Sequence, residues 1–496
     1  MKKFGKFFFP VWLLLLISLL IPPVLATQTT TVPEDTVSID NQISADIPLL
    51  TGVDASVTNG CHTMDARVPL GGSQKMLDTA KSAVLYELNS GTLLYAYEPD
   101  LKVYPASLVK IMTALLVVEN ADLTATVVAK QDTLDSVPYD AVSIQIKAGE
   151  IFTVNDLLHA MLVESANDAC AILAETVSDT QEEFVSLMNQ RAAELGCSNT
   201  NFTNALGIHD ENMYTTARDM GKILEEAVKY EAFRNAFGAE EYIIPANDIS
   251  EERHLITTNY FAFADNVVKF NDKRVTGGKS GAINTSDRSL VVTAQEGSLN
   301  LMSVVMSAEG VLEEDGYTLK VTGNFEETSE LLQFGFDNYS VAQILYSGKS
   351  VAQFPVNGGE NHVVGRPEQS VSSALPWGTT EDKLTWRYLQ AQTGLEAPVI
   401  AGQSIGTVQV WYANLCLAQS DMVAMNSSKL EQNPFDDQSG DGDAGLSGLG
   451  MVLQILGVIF GIVIGLAFLF VVVNLIRRAA VRARRKRRRR NRRRSR

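Results

Sequence analysis

Cysteine is scarce in this chain: Cys61, Cys170, Cys197 and Cys416 are the only four among 496 residues. Four thiols cannot form the dense disulfide framework of a small secreted domain, and a chain this long can stabilise itself by burial. Their spacing matches no zinc pattern. Histidine is equally thin, with five residues and no two in a ligand motif. The sequence therefore calls for no metal and no cofactor. Charge is absent from residues 451–476, and acid is absent from residues 477–496.

Those last two absences set the expected compartment. Residues 451–476 form an uncharged apolar run long enough to span a bilayer with some tilt. Behind it, 14 of the final 20 residues are Lys or Arg. A basic block of this kind is open to a nucleic-acid reading. Directly behind an apolar span it reads better as a cytoplasmic anchor drawn to anionic membrane lipid. At the other end, Lys2, Lys3 and Lys6 precede the apolar run 7–21, and Val24-Leu25-Ala26 offers a small-residue cleavage site. This is the pattern of a secretory signal peptide over residues 1–26. Between the two ends, residues 27–450 carry 24 basic against 58 acidic side chains. So acidic a surface is poorly suited to nucleic acid, and none is expected as a partner. The expected topology is single-pass, with the acidic part outside the cell membrane and the tail inside. Export permits a disulfide, and Cys170–Cys197 is the expected pair.

The exported part reads as a leader, two folded units and a tether. Residues 27–79 show little periodicity and are expected to be flexible. Residues 82–88 and 92–97 predict a hairpin around Asn89-Ser90-Gly91. An apolar helix then opens at Ser107, and Thr153 with Asp156 predicts a capping box for another. Further helices are expected after Ser165, over 181–195 and from Thr216 to Tyr230. Strands return at 274–279, 289–294 and 299–307. Strands at both ends with helices between them predict an α+β domain over 80–345 whose terminal strands share one sheet. Short strands separated by Gly and Pro turns predict a small β-rich domain over 346–425. Residues 426–450 are rich in Ser, Asp and Gly and read as a flexible tether to the membrane span.

Three short motifs carry chemistry: S-L-V-K at 107–110, S-A-N at 165–167 and K-S-G at 279–281. Any one alone is weak, since Ser-x-x-Lys arises by chance about once or twice in a chain of this length. The ordered triple is far more specific. Ser107 at a helix start is a candidate nucleophile, because the positive end of the helix favours developing negative charge. Lys110 lies one turn along the same face and can serve as its base if burial and a nearby cation keep it neutral. Ser165 is placed to relay a proton, and Asn167 to hydrogen-bond a substrate amide. Lys279 supplies the neighbouring cation and a grip on an anionic substrate, with the Ser280 hydroxyl beside it. Gly281 leaves room for close backbone approach. The backbone N–H groups of Ser107 and Ala282 would form an oxyanion hole. A structural alternative stays open at each position: Ser107 as an ordinary helix cap, Lys110 as a solvated lysine, and Asn167-Asp168 as a cap.

At these residues the chain resembles the D-alanyl-D-alanine carboxypeptidases, the low-molecular-mass penicillin-binding proteins. The stretch 105–116 is similar to that family's nucleophile motif and 164–169 to its second motif. Asn204-Ala-Leu-Gly207 followed by 214–219 resembles its intervening signature, and 396–406 resembles its C-terminal β-domain. The resemblance spans roughly residues 80–425. It implies an α+β fold like that of penicillin-binding proteins and β-lactamases, followed by the β-rich domain and a C-terminal transmembrane helix. It also implies removal of the terminal D-alanine from peptidoglycan stem pentapeptides through an acyl-Ser107 intermediate, with β-lactam antibiotics as covalent inhibitors. Three departures bear on substrate preference. The third motif is Lys-Ser-Gly rather than Lys-Thr-Gly, Ala282 and Ile283 follow it, and Thr258 stands where some members carry Arg. The alternatives are a serine β-lactamase, whose Glu-x-x-x-Asn loop is not found at Asn201-Phe-Thr-Asn204, and a non-catalytic wall-binding or β-lactam-sensing protein.

Overall fold

A computed structural model describes residues 61, 64–70, 76–262, 270–284, 287–312, 314, 319–390 and 394–431. The expected signal peptide, most of the tether, the apolar span and the basic tail lie outside these residues. Among the described residues no helix is long and apolar enough to cross a membrane.

The catalytic-region sheet has five strands: β1 (Ser82–Glu87), β2 (Thr92–Tyr97), β3 (Val275–Asn284), β4 (Asp287–Glu296) and β5 (Leu299–Ala308). Their order is β2-β1-β5-β4-β3, all antiparallel, so strands from the two ends of the domain do share one sheet. β3 forms one edge. Alternation along the strands sorts side chains to two faces. Val84, Tyr86, Val291, Met302, Val304 and Met306 face one core, which is filled by helices from the middle of the chain. Leu85, Leu290, Val292, Leu301 and Val305 face a second core against α7 (Gly323–Asn338).

The longer helices between the strands are α1 (Val109–Asn120), α2 (Val154–Val163), α3 (Asn167–Val177), α4 (Gln181–Glu194), α5 (Ala217–Ala227) and α6 (Glu231–Phe237). α1 is buried on nearly every side, which explains its almost unbroken apolar run. The Thr153/Asp156 capping box is present at α2, and the Thr216 side chain accepts from Asp219 N at α5.

The second core continues into the β-rich part. Five of its strands, β7 (Ala352–Phe354), β8 (Val363–Pro367), β10 (Leu384–Gln390), β11 (Ser404–Tyr412) and β12 (Leu415–Ala424), form a sheet in the order β7-β8-β12-β11-β10. β6 (Tyr339–Leu345) and β9 (Val371–Pro376) form a separate ribbon. Ser373 on β9 shares a 3.0 Å hydroxyl contact with Thr92 on β2.

Two expectations are corrected. The described part of the leader is packed rather than loose, because buried partners await it. Met64, Leu70 and Leu77 are buried, and the Arg218 guanidinium donates to the carbonyls of Met64 and Ala66 at 2.6 and 3.0 Å while pairing with Asp100. Cys170 and Cys197 are not bridged: both are free and buried. Cys170 faces the α1 side and donates to Ala205 O at 3.1 Å, whereas Cys197 donates to Asp219 O at 3.5 Å. Each thiol thus has its own backbone acceptor. The disulfide joins Cys61 to Cys416 across 355 residues of sequence, tying the leader to β12.

Candidate active site

The three motifs converge where the start of α1, the start of α3 and the edge strand β3 meet. Ser107 lies in a single 3-10 turn, Ala106–Leu108, that leads into α1 at Val109, so it enters the helix instead of capping it. Ser165 holds a left-handed backbone conformation (φ 65°) immediately before α3. A non-glycine residue there is uncommon, and such strain is typical of functional sites. Gly281 is required by close approach: a Cβ at that position would sit 3.2–3.3 Å from Pro105 O, Ser107 N and Leu108 N. The nucleophile turn and the edge strand are therefore in backbone contact, and Ala282 follows on the same strand.

Lys110 Nζ is 3.3 Å from Ser107 Oγ. It also donates to Asn167 Oδ1 at 3.0 Å and to Leu206 O at 2.5 Å. Lys279 Nζ donates to Ser165 Oγ at 3.0 Å and to Ser280 O at 2.8 Å. Both lysines are fully buried, and among the described residues no carboxylate forms an ion pair or hydrogen bond with either ammonium. Burial pushes Lys110 down to about 8 from an ordinary 10.5. It lowers Lys279 as well, helped by the Lys110 charge. The expectation that Lys279 keeps Lys110 neutral is corrected: burial alone lowers Lys110, and the repulsion between the two lysines registers on Lys279 instead. Cys170 does not compensate, since burial pushes its thiol up to about 11 and keeps it uncharged.

The hydrogen-bond partners fix how Lys110 presents itself once it is neutral, above about 8. Leu206 O only accepts, and so does the amide oxygen of Asn167. A neutral amine has two N–H groups and one lone pair. At Lys110 the two N–H groups are taken by these acceptors, leaving the lone pair for the Ser107 hydroxyl. At Lys279 only one partner, Ser280 O, is an obligate acceptor, which leaves an N–H to spare for an anion.

Several contributors were not legible as site residues. Leu206 is presented by a loop that Asn204 folds: its Oδ1 accepts from Leu206 N, Gly207 N and Ile208 N at 3.2, 2.8 and 3.0 Å. Gly207 (φ 80°) packs so closely that a Cβ would lie 2.2 Å from Ala106 O. The Asn204–Gly207 signature was visible, but its task of aiming a carbonyl was not. Val142 O accepts from both the backbone and side-chain nitrogens of Asn167, at 2.8 and 2.9 Å. Thr258 enters the sequence reading only as a missing Arg, yet its hydroxyl lies 3.0 Å from that of Ser280.

A serine–lysine pair, a second serine and a strand-borne lysine on this α+β framework define the transpeptidase-type fold of penicillin-binding proteins. A structure of penicillin binding protein 5 from Haemophilus influenzae matches with a TM-score of 0.59 and 27% identity, over 72% of this chain and all of that one. The D-alanyl-D-alanine carboxypeptidase DacF of Bacillus subtilis is 28% identical over 72% of this chain and 88% of its own length. DacA of Haemophilus influenzae is 29% identical over 70% and 85%. The profile of the D-alanyl-D-alanine carboxypeptidase family matches residues 72–310, which include all three motifs. Residues 72–310 thus match that family.

Proposed function

We propose that the protein is a serine-type D-Ala-D-Ala carboxypeptidase acting on peptidoglycan stem pentapeptides, with β-lactams as covalent inhibitors. The observation that carries the reading is Lys110, with its amine 3.3 Å from Ser107 Oγ and its two other directions committed to acceptors. Ser107 Oγ attacks the carbonyl of the penultimate D-alanine as its proton passes to Lys110 Nζ. The developing oxyanion is met by the N–H groups of Ser107 and Ala282. Collapse breaks the peptide C–N bond, and the proton reaches the leaving D-alanine amine by way of Ser165. Water then cleaves the acyl-Ser107 ester and restores the serine. Lys279, with Ser280 and Thr258 at hand, holds the terminal carboxylate, and the substrate strand runs along the free edge of β3.

A β-lactamase reading has no support from the loop where its deacylating carboxylate would lie. Asn204 spends its side chain on folding that loop, and Asn201 donates to Asn212 O. Export by residues 1–26 and anchoring by residues 451–496 complete the proposal, with the catalytic part outside the cell membrane and the basic tail on its inner, anionic lipid face. The decisive experiment incubates the protein with a stem pentapeptide and measures free D-alanine, in parallel with labelling by a fluorescent penicillin. Release and a Ser107-dependent adduct are expected. An adduct at full yield in Ser107→Ala would refute the assignment, and adduct without D-alanine release would favour a sensor.

A further inference from the structure

A series of contacts leads from Asp168, which the mechanism above does not use, to Lys110. Asp168 is the second residue of α3 and is 3% exposed. Its carboxylate accepts from Ser143 Oγ at 2.7 Å, Ile146 N at 3.0 Å, Ile144 N at 3.4 Å and Ala169 N at 2.9 Å. Three of these donors belong to one segment, residues 142–146, which the carboxylate holds over the start of α3. Fixed there, Val142 O receives both nitrogens of Asn167. A carbonyl only accepts, so the amide nitrogen of Asn167 must face Val142 and its oxygen must face Lys110. Were Val142 O to move away, the amide would be free to turn its NH2 toward Lys110. The Lys110 lone pair would then accept from Asn167 and be withdrawn from Ser107.

We propose that Asp168 is a positioning residue for acylation, holding the 142–146 segment so that Val142 O sets the Asn167 amide and, through it, the proton arrangement of Lys110. The inference rests on the serine-acylation reading above. Arg253 fastens the outer side of the same segment, donating to Ile144 O at 2.8 Å and to Gln145 O at 3.1 Å while paired with Glu150. Loss of the Asp168 carboxylate therefore loosens the inner side of the segment without releasing it.

The test measures the second-order rate of Ser107 acylation by a fluorescent penicillin, with thermal melting as a check on folding. Asp168→Asn keeps the side-chain shape but turns one acceptor oxygen into a donor facing other donors. Its rate should fall on the order of ten- to a hundredfold, the effect of losing a charge-assisted contact. Asn167→Ala should be slow by itself, and adding Asp168→Asn to it should change the rate by less than about twofold, because the two act in series. A merely structural role would instead slow Asn167→Ala further. Wild-type rates in Asp168→Asn, or a full additional loss in the double variant, would overturn the proposal. If Asp168→Asn does not fold, Ser143→Ala at a half-exposed position takes its place. A several-fold loss that vanishes in the Asn167→Ala background is then expected, and an unchanged rate overturns the idea. Failure of the wild type to acylate at all would count against the function rather than against Asp168.

Discussion

Replacing Lys110 by Met should abolish acylation and, at the same time, change the way stability depends on pH. The folded-state value of Lys110, about 8, lies below its unfolded value of 10.5. Below about 8 both states are charged, and the full cost of burying the ammonium falls on the folded protein. Between about 8 and 10.5 the unfolded chain binds more protons than the folded one, so stability rises with pH. The shift amounts to roughly 3 kcal/mol at pH 7 and falls below about 1 kcal/mol at pH 10. Lys110→Met removes that dependence but leaves Leu206 O and Asn167 Oδ1 without a donor, a cost of about 1–3 kcal/mol each that does not vary with pH. The difference in unfolding free energy between wild type and variant should therefore move by roughly 2–3 kcal/mol toward the wild type between pH 7 and pH 10. Relief of the Lys279 ammonium in the variant works in the same direction. Urea unfolding followed by tryptophan fluorescence at the two pH values measures it. The catalytic counterpart is an acylation rate that rises with pH through about 8 and then levels, since the base acts when neutral. A stability difference equal at both pH values would show that Lys110 holds its proton as readily folded as unfolded, and the argument for a neutral base would fall.

Cys61→Ser should lower stability by roughly 2–4 kcal/mol in thermal or urea unfolding, because the bridge closes a very long loop, while penicillin labelling is retained; an unchanged midpoint would contradict the Cys61–Cys416 pairing. Gly207→Ala forces a Cβ against Ala106 O at a left-handed backbone position. It should displace Leu206 O and slow acylation at least about tenfold, and a normal rate would show that the loop has slack. Lys279→Ala should depress D-alanine release on the order of ten- to a hundredfold, and more for a free than for an amidated substrate terminus. Protease added to intact cells should remove the catalytic part and spare an epitope in residues 477–496, and the opposite pattern would refute the orientation.

What the sequence made legible was whatever local pattern or short-range chemistry encodes. The β1–β2 hairpin, the capping box at α2, and the sharing of one sheet by strands from the two ends of the domain followed from periodicity, turn residues and element order. Ser107 and Lys110 were recognisable because one helical turn fixes their approach regardless of the rest of the fold. What stayed hidden was long-range and backbone-borne. No residue type marks Leu206 or Val142, because every residue has a carbonyl and only the folded loops decide where it points. The disulfide failed for the same reason. Cys170 and Cys197 are near in sequence, but α3 and α4 turn them toward different carbonyls, while Cys61 and Cys416 meet only once leader and β-rich part are packed.

The same contrast explains why the site needs so much of the chain. Two buried lysines with no carboxylate partner among the described residues oppose folding, and the long core on both faces of the sheet offsets them. The burial that makes them costly is also what lowers Lys110 toward the range in which an amine serves as a base near neutral pH. Uncharged obligate acceptors do what a carboxylate could not. A carboxylate beside Lys110 would stabilise its charged form and return it to an ordinary ammonium, whereas the Leu206 carbonyl and the Asn167 amide oxygen orient two N–H groups without neutralising a charge. Those acceptors are held by Asn204 and by Val142, and the Val142 segment is held in turn by Asp168. The reactivity of Ser107 is thus set by segments that approach it from four separate stretches of sequence, each fixed by its own local hydrogen bonds.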